Sequence, residues 1–331
     1  MTEEKPLNDA ATPNPAIDAV REMAQSVRRN VQKTIVGKSD AIDLSLIALL
    51  CGGHALIEDM PGTGKTTLAK AVATSLGCGF RRIQFTPDLV PSDVLGVNVF
   101  EPASGSFRFQ AGPIFSHIVL ADEINRASPR TQSALLEAMA ERQVSIDGET
   151  SALPAPFFVI ATLNPVEMEG TFPLPEAQLD RFLLRFRIGY PEAEEEIEML
   201  ERFHRQSEPI ELGPVATPEA VLAAQNAIDD VRVAANARRY ILAIVAATRT
   251  NARVQLGASP RASLGLQRAA QAKAALEGRN FVLPDDVKAL ADPVLSHRIV
   301  VDIGSELRGT EGSDVIAEIL SEVPVPLETG T

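Results

Sequence analysis

The sequence predicts an α/β domain on a five-stranded, mainly parallel sheet with inserted β-hairpins, followed by a small all-helical domain. Three observations carry this. Five short apolar runs rich in β-branched or aromatic residues, HALIE, RRIQF, HIVLAD, FFVIATLN and FLLRFRI, lie between residues 54 and 190 with helical or insert sequence between them. The first run leads into a glycine-bearing loop and a helical stretch, EDMPGTGKTTLAKAVATSL. After Tyr190-Pro191 the strand signal ends, and the chain becomes alanine-rich with helical period.

Taken in order, residues 1–16 read as a mobile tail, since three prolines interrupt a polar stretch that has no apolar period. Residues 17–213 read as the α/β domain, opening with a helix from about Ile17. Within it, VLGVNVFEPASGSFRFQAGPIF sets the turn ASGS between short alternating runs, and QVSIDGETSALP carries the Asp147-Gly148 hairpin signal. The acidic run PEAEEEIEMLERFH reads as a solvated helix whose early glutamates suit the helix dipole. Residues 214–322 read as the helical domain, from VLAAQNAIDDVRV through ARRYILAIVAATRT and ASLGLQRAAQAKAALEG to LPDDVKALADPVL. Residues 323–331 form a second loose tail.

Composition narrows the function. The chain has 331 residues, of which 45% are hydrophobic, and a net charge of −13, which disfavours a protein whose main work is neutralising nucleic-acid phosphates. No apolar run reaches the roughly 20 residues that span a membrane. The N-terminus resembles no signal peptide, so a cytoplasmic location is expected. Cys51 and Cys78 have neither disulfide nor metal-ligand spacing, and His54, His117, His204 and His297 have no metal spacing.

The chemistry gathers at three strand ends. In EDMPGTGKT, backbone N–H groups from Gly62 to Thr66 would face phosphate at a helix N-terminus, Lys65 would reach the outer phosphate oxygens, and Thr66 would ligate Mg²⁺. Asp59 occupies the position where such a loop normally opens with glycine, and its carboxylate is expected to point to solvent. About 57 residues after Lys65, the strand in HIVLADEINRA ends in two adjacent carboxylates, Asp122 and Glu123. The first suits the Mg²⁺ shell and the second a base for the attacking water. The next strand ends at Asn164, whose amide could reach the terminal phosphate or the water, or merely cap the turn before Pro165.

Together with the loop, LADEINRA, ATLNPVEMEGTFPLPEAQLDRF and PDDVKALADPVLSHR resemble the signatures of the MoxR family of AAA+ ATPases, from about Thr34 to His297. That resemblance implies a ring-forming, usually hexameric ATPase with ATP and Mg²⁺ as cofactors, acting as a chaperone-like remodeller. It also implies a partner carrying a von Willebrand factor A domain. Loops of this family often lack the first glycine. Residue by residue, it makes Pro61, Gly62, Thr63, Gly64, Lys65, Thr66 and Thr67 the Walker A loop, Asp122 and Glu123 Walker B, and Asn164 sensor 1. Val36 and Gly37 resemble the segment that passes over adenine, and Arg261 in ASPRASLGL resembles sensor 2. Arg181 in LDRF resembles the arginine finger, with Arg185 and Arg187 as alternatives. In this clade the inserted hairpins face the ring centre or the partner. Two other readings compete: a nucleic-acid motor of the related helicase clade, against which the charge and the uncharged or acidic hairpin tips stand, and a scaffold that binds ATP with little turnover. Magnesium chelatase subunits form a neighbouring clade whose signatures fit less well.

Overall fold

The computed structural model describes residues 14–165, 170–205 and 211–326, without the side chains of 203–205. The expected tails, apart from Asn14 to Ala16 and Val323 to Pro326, lie outside the described residues, as does the His204 side chain. The chain divides into two compact units, one from Ser26 to Leu222 and one formed by the described residues up to Gln25 together with those from Ala223 onward.

The first helix, α1 (Pro15–Val31), belongs partly to each unit. Its buried residues Ile17, Val20, Ala24, Val27 and Val31 recur every three or four positions, which places them on one face. In the α/β unit, α2 (Ser39–Leu50) leads to β1 (Ala55–Glu58), α3 (Lys65–Ser75) and β2 (Phe80–Gln84). The short α4 (Pro91–Leu95) is followed by a hairpin of β3 (Gly96–Glu101) and β4 (Ser106–Ala111), then by β5 (Ile118–Asp122). Next come α5 (Pro129–Glu141), a second hairpin of β6 (Gln143–Ile146) and β7 (Glu149–Ala152), and β8 (Phe158–Leu163). The unit continues with α6 (Glu176–Leu179), β9 (Leu184–Phe186) and α7 (Ala193–Arg205).

The five expected strands form one sheet in the order β2-β5-β8-β1-β9, with every pairing parallel. Its three inner strands are apolar through their middles because both faces are covered: Leu56, Ile57, Val119, Leu120, Val159 and Ile160 are all fully buried. Edge strand β2 differs, with Arg82 and Gln84 on one face and Ile83 turned into the core. Both inserted hairpins are antiparallel, and in the second the turn residues Asp147 (φ 52°) and Gly148 (φ 86°) have the positive φ that a type I′ turn requires. Parallel strands align their C-terminal ends on one side of the sheet, and the three predicted chemical segments all leave from there.

The remaining elements are α8 (Pro218–Ala227), α9 (Ala235–Thr250), β10 (Val254–Leu256), α10 (Pro260–Leu276) and α11 (Pro284–Leu295), followed by β11 (Val300–Val301), α12 (Ile303–Glu306) and α13 (Gly312–Glu322). The helical unit thus also carries a two-stranded antiparallel ladder, β10 with β11. Its alanine-rich α10 buries Ala262, Ala269, Ala270, Ala272, Ala274 and Ala275, small side chains that let neighbouring helices approach closely. Arg279 forms a bidentate pair with the buried Asp286, which also accepts the Leu283 amide at the start of α11. No helix among the described residues is long and apolar enough to cross a membrane.

Candidate nucleotide site

The loop between β1 and α3 is shaped by two glycines, Gly62 and Gly64, both at φ 87°. A Cβ on either would meet nothing within 4 Å, so the backbone there is open for close approach by a ligand. Helix α3 begins at Lys65, directing unpaired N–H groups of its first turn toward the loop. The Lys65 ammonium donates to the carbonyls of Asp59 (2.5 Å) and Met60 (2.9 Å). Burial lowers its pKa from the ordinary lysine value, and Asp59, Asp122 and Glu123 oppose that shift. Lys65 and the predicted carboxylate pair therefore share one electrostatic site.

Beside the loop lies a cavity of about 540 Å³, lined in part by Thr34, Thr66, Thr67, Lys70 and Thr74. It is large enough for a nucleoside as well as phosphates.

Asp122 and Glu123 stand where β5 leaves the sheet. Asp122 is buried; its Oδ1 accepts from the Thr162 hydroxyl at 2.7 Å, and its Oδ2 accepts from Nε and Nη2 of Arg82 at 2.9 and 2.7 Å. Glu123 adopts a left-handed backbone (φ 58°, ψ 50°), an uncommon conformation for a residue with a side chain and one that concentrates at functional sites. Its amide donates to Thr162 Oγ1 at 2.8 Å. Its Oε2 accepts from Gln84 Nε2 at 2.8 Å and from Arg126 at 3.1 Å. Arg82, Gln84, Arg126 and Thr162 were all missed from the sequence. The period-2 polarity of FRRIQ was the available signal for the first two, because it sets Arg82 and Gln84 on one face of the strand beside β5.

The hard oxygen donors Thr66 and Asp122 fit Mg²⁺, which takes few protein ligands and completes its shell with phosphate oxygens and water. No cluster of three or more His, Cys, Asp or Glu that could hold a metal exists among the described residues. Asn164 is buried at the end of β8, next to β1.

Asp59 departs from expectation. Its carboxylate is buried, with the residue only 6% exposed, and Oδ2 accepts the amides of Ile188 and Gly189, both at 2.7 Å. The chain following β9 supplies these donors, which sequence spacing could not reveal.

Arg181 follows α6 and makes no ion pair among the described residues, whereas Arg185 on β9 pairs with Glu58 at 3.3 Å. Arg187 is exposed, and Arg261 lies exposed at the start of α10 in the helical unit. Two of the histidines are held by backbone groups. His54 is held between the Met139 carbonyl and the Val159 amide, and His117 accepts from the Gly79 amide. Both cysteines are free thiols.

Residues 54–184 match the profile of the ATPase family associated with various cellular activities (AAA), and residues 246–319 match an AAA lid domain. Chaperone MoxR1 of Mycobacterium tuberculosis is 40% identical over 313 residues, covering 89% of this chain and 80% of its own. Protein MoxR of Methylorubrum extorquens is 34% identical, covering 92% and 96%. The chain belongs to the MoxR family of AAA+ ATPases. Another member-length relative of this MoxR-family chain is the uncharacterized protein YeaC of Bacillus subtilis, 50% identical over 90% of this chain and 93% of its own. A Cytophaga hutchinsonii protein, solved as a candidate ATPase, superposes with a TM-score of 0.88 at 38% identity, covering 95% of this chain and 98% of that one.

Proposed function

We propose that this MoxR-family ATPase couples Mg²⁺-dependent ATP hydrolysis, at sites completed across the interfaces of a homo-oligomeric ring, to the remodelling of a protein client. The observation that carries the client class is the β3–β4 hairpin. Phe100 and Phe107, 52% and 71% exposed, pack edge to face 5.4 Å apart, and Val97 and Val99 are also exposed. Such a surface favours apolar protein contact, and Arg108 is the hairpin's only basic residue, too little charge for tracking a phosphate backbone. The name of the relative Chaperone MoxR1 points the same way.

In this reading Lys65 and the loop from Pro61 to Thr67 hold the phosphates, while Val36 and Gly37 cover the base. Thr66 and Asp122 hold Mg²⁺, which when bound would neutralise phosphate charge. Glu123 orients and deprotonates the attacking water, and Asn164 hydrogen-bonds that water or the terminal phosphate. Arg181 is offered to a neighbouring subunit's phosphate, its guanidinium matching the charge that develops there; Arg261 acts as sensor 2. The ring is a hexamer working in the cytoplasm with a partner that carries a von Willebrand factor A domain.

A ring can drive a client only if its affinity for that client differs between nucleotide states. Glu123→Gln loaded with ATP should therefore capture from native extract a protein set that Lys65→Ala does not. Identical captures in both states, or salt-sensitive capture of chiefly DNA, would overturn this reading in favour of a nucleic-acid motor.

A further inference from the structure

We infer that Asp59, at the loop position where glycine is usual, is a positioning residue whose buried carboxylate ties the phosphate end of the cleft to its nucleoside end. The inference rests on the nucleotide reading given above.

The carboxylate accepts three backbone N–H groups. Met60 donates to Oδ1 at 2.8 Å, and Ile188 and Gly189 both donate to Oδ2. Charge-assisted bonds of this kind are about twice as strong as neutral ones. From Gly189 the connection continues. The next carbonyl, Tyr190 O, accepts from Lys38 Nζ at 2.6 Å, and Lys38 also pairs with Glu195 Oε2 at 3.2 Å. The Glu195 carboxylate packs against Gly37, so closely that a Cβ there would fall 1.7 Å from its Oε1. Gly37 stands at φ 64°, beside the buried Val36. One chain of contacts therefore runs from the phosphate loop, through residues 188–195, to the Val36–Gly37 turn. Thr34, just before that turn, lines the 540 Å³ cavity.

A glycine at position 59 would supply no acceptor, and an asparagine would keep one acceptor oxygen while turning N–H groups toward either the Met60 amide or those of Ile188 and Gly189. Asp59 also stands close to Lys65, so its charge opposes that of a phosphate ligand. Restoring the consensus should then free the loop for phosphate while loosening the nucleoside end.

The test compares the full-length wild type with Asp59→Gly and Asp59→Asn. Hydrogen exchange without nucleotide should show the Ile188 and Gly189 amides losing protection in Asp59→Gly, and either those amides or that of Met60 losing it in Asp59→Asn, while β8 amides keep theirs as evidence of an intact fold. Equilibrium binding should show affinity for ATP falling about tenfold, roughly 1.4 kcal/mol, while affinity for inorganic tripolyphosphate stays the same or rises. Parallel loss for both ligands would reduce Asp59 to a general support of the loop and overturn the inference. Wild-type protection and affinities in Asp59→Gly would overturn it equally. A wild type that binds tripolyphosphate but not ATP would sink the nucleotide reading, leaving exchange to decide on the latch alone.

Discussion

The Thr162 hydroxyl donates to Asp122 Oδ1 at 2.7 Å and, on its other side, accepts the Glu123 amide at 2.8 Å, so one fully buried side chain on β8 holds the Asp122 carboxylate and the Glu123 backbone together. Thr162→Val keeps the shape but strands a carboxylate oxygen and an amide. Leaving such groups unsatisfied costs about 2 kcal/mol, which should lower the melting temperature by roughly 4 °C. Turnover should fall at least about tenfold as Glu123 loses its anchor, and Thr162→Ser should restore both. Wild-type melting and turnover in Thr162→Val would show that the bonds carry nothing.

Lys65→Ala should lose nucleotide binding, because the ammonium that shares the site with Asp122 and Glu123 is gone. Glu123→Gln should bind ATP yet lose nearly all turnover, since the amide accepts no proton. A filter-binding assay paired with phosphate release separates the two effects. Equal hydrolysis by wild type and Glu123→Gln would show that the base is another residue.

Arg181→Ala should bind ATP normally and lose turnover by about 10³-fold or more, the range for arginines acting across an interface. Adding Lys65→Ala subunits, whose Arg181 is intact, should restore part of the activity in mixed assemblies. Arg185→Ala should instead cost about 1 kcal/mol of stability through its pair with Glu58, whose members are about four-fifths buried. If Arg185→Ala removes turnover and Arg181→Ala does not, the two roles are exchanged.

Burial lowers the His54 pKa from 6.5 to about 4. The neutral ring is satisfied on both sides, Nδ1 accepting from Val159 N and Nε2 donating to Met139 O, so a second ring proton would face a donor. Unfolding raises the pKa again. The unfolded chain therefore binds the proton first, and stability is complete above pH 6.5 and falls as pH drops toward 4, by up to about 3 kcal/mol from this group. His54→Asn should be less stable at pH 7 and lose one proton's worth of slope between pH 4 and 6.5. An unchanged slope in denaturant titrations across that range would place the pH dependence elsewhere.

By itself the sequence determined the five strands of the main sheet and the candidate groups at their ends. Its inner strands are mostly apolar because both faces of a parallel sheet are covered, and their C-terminal ends and the segments leaving them carry Lys65, Asp122 and Asn164. Asp147-Gly148 announced its hairpin because few residue pairs accept positive φ twice in succession. What holds those groups in place was decided only by tertiary structure. Arg82 and Gln84 reach Asp122 and Glu123 because β2 pairs with β5 across some 40 residues of chain, and Thr162 links the Asp122 carboxylate to the Glu123 amide because β8 lies on the other side. Asp59 marks the limit of local reading. An acid at a loop mouth looks solvated until the amides of Ile188 and Gly189 arrive from nearly 130 residues away, and a hydrogen bond between distant backbone segments leaves no spacing in the sequence.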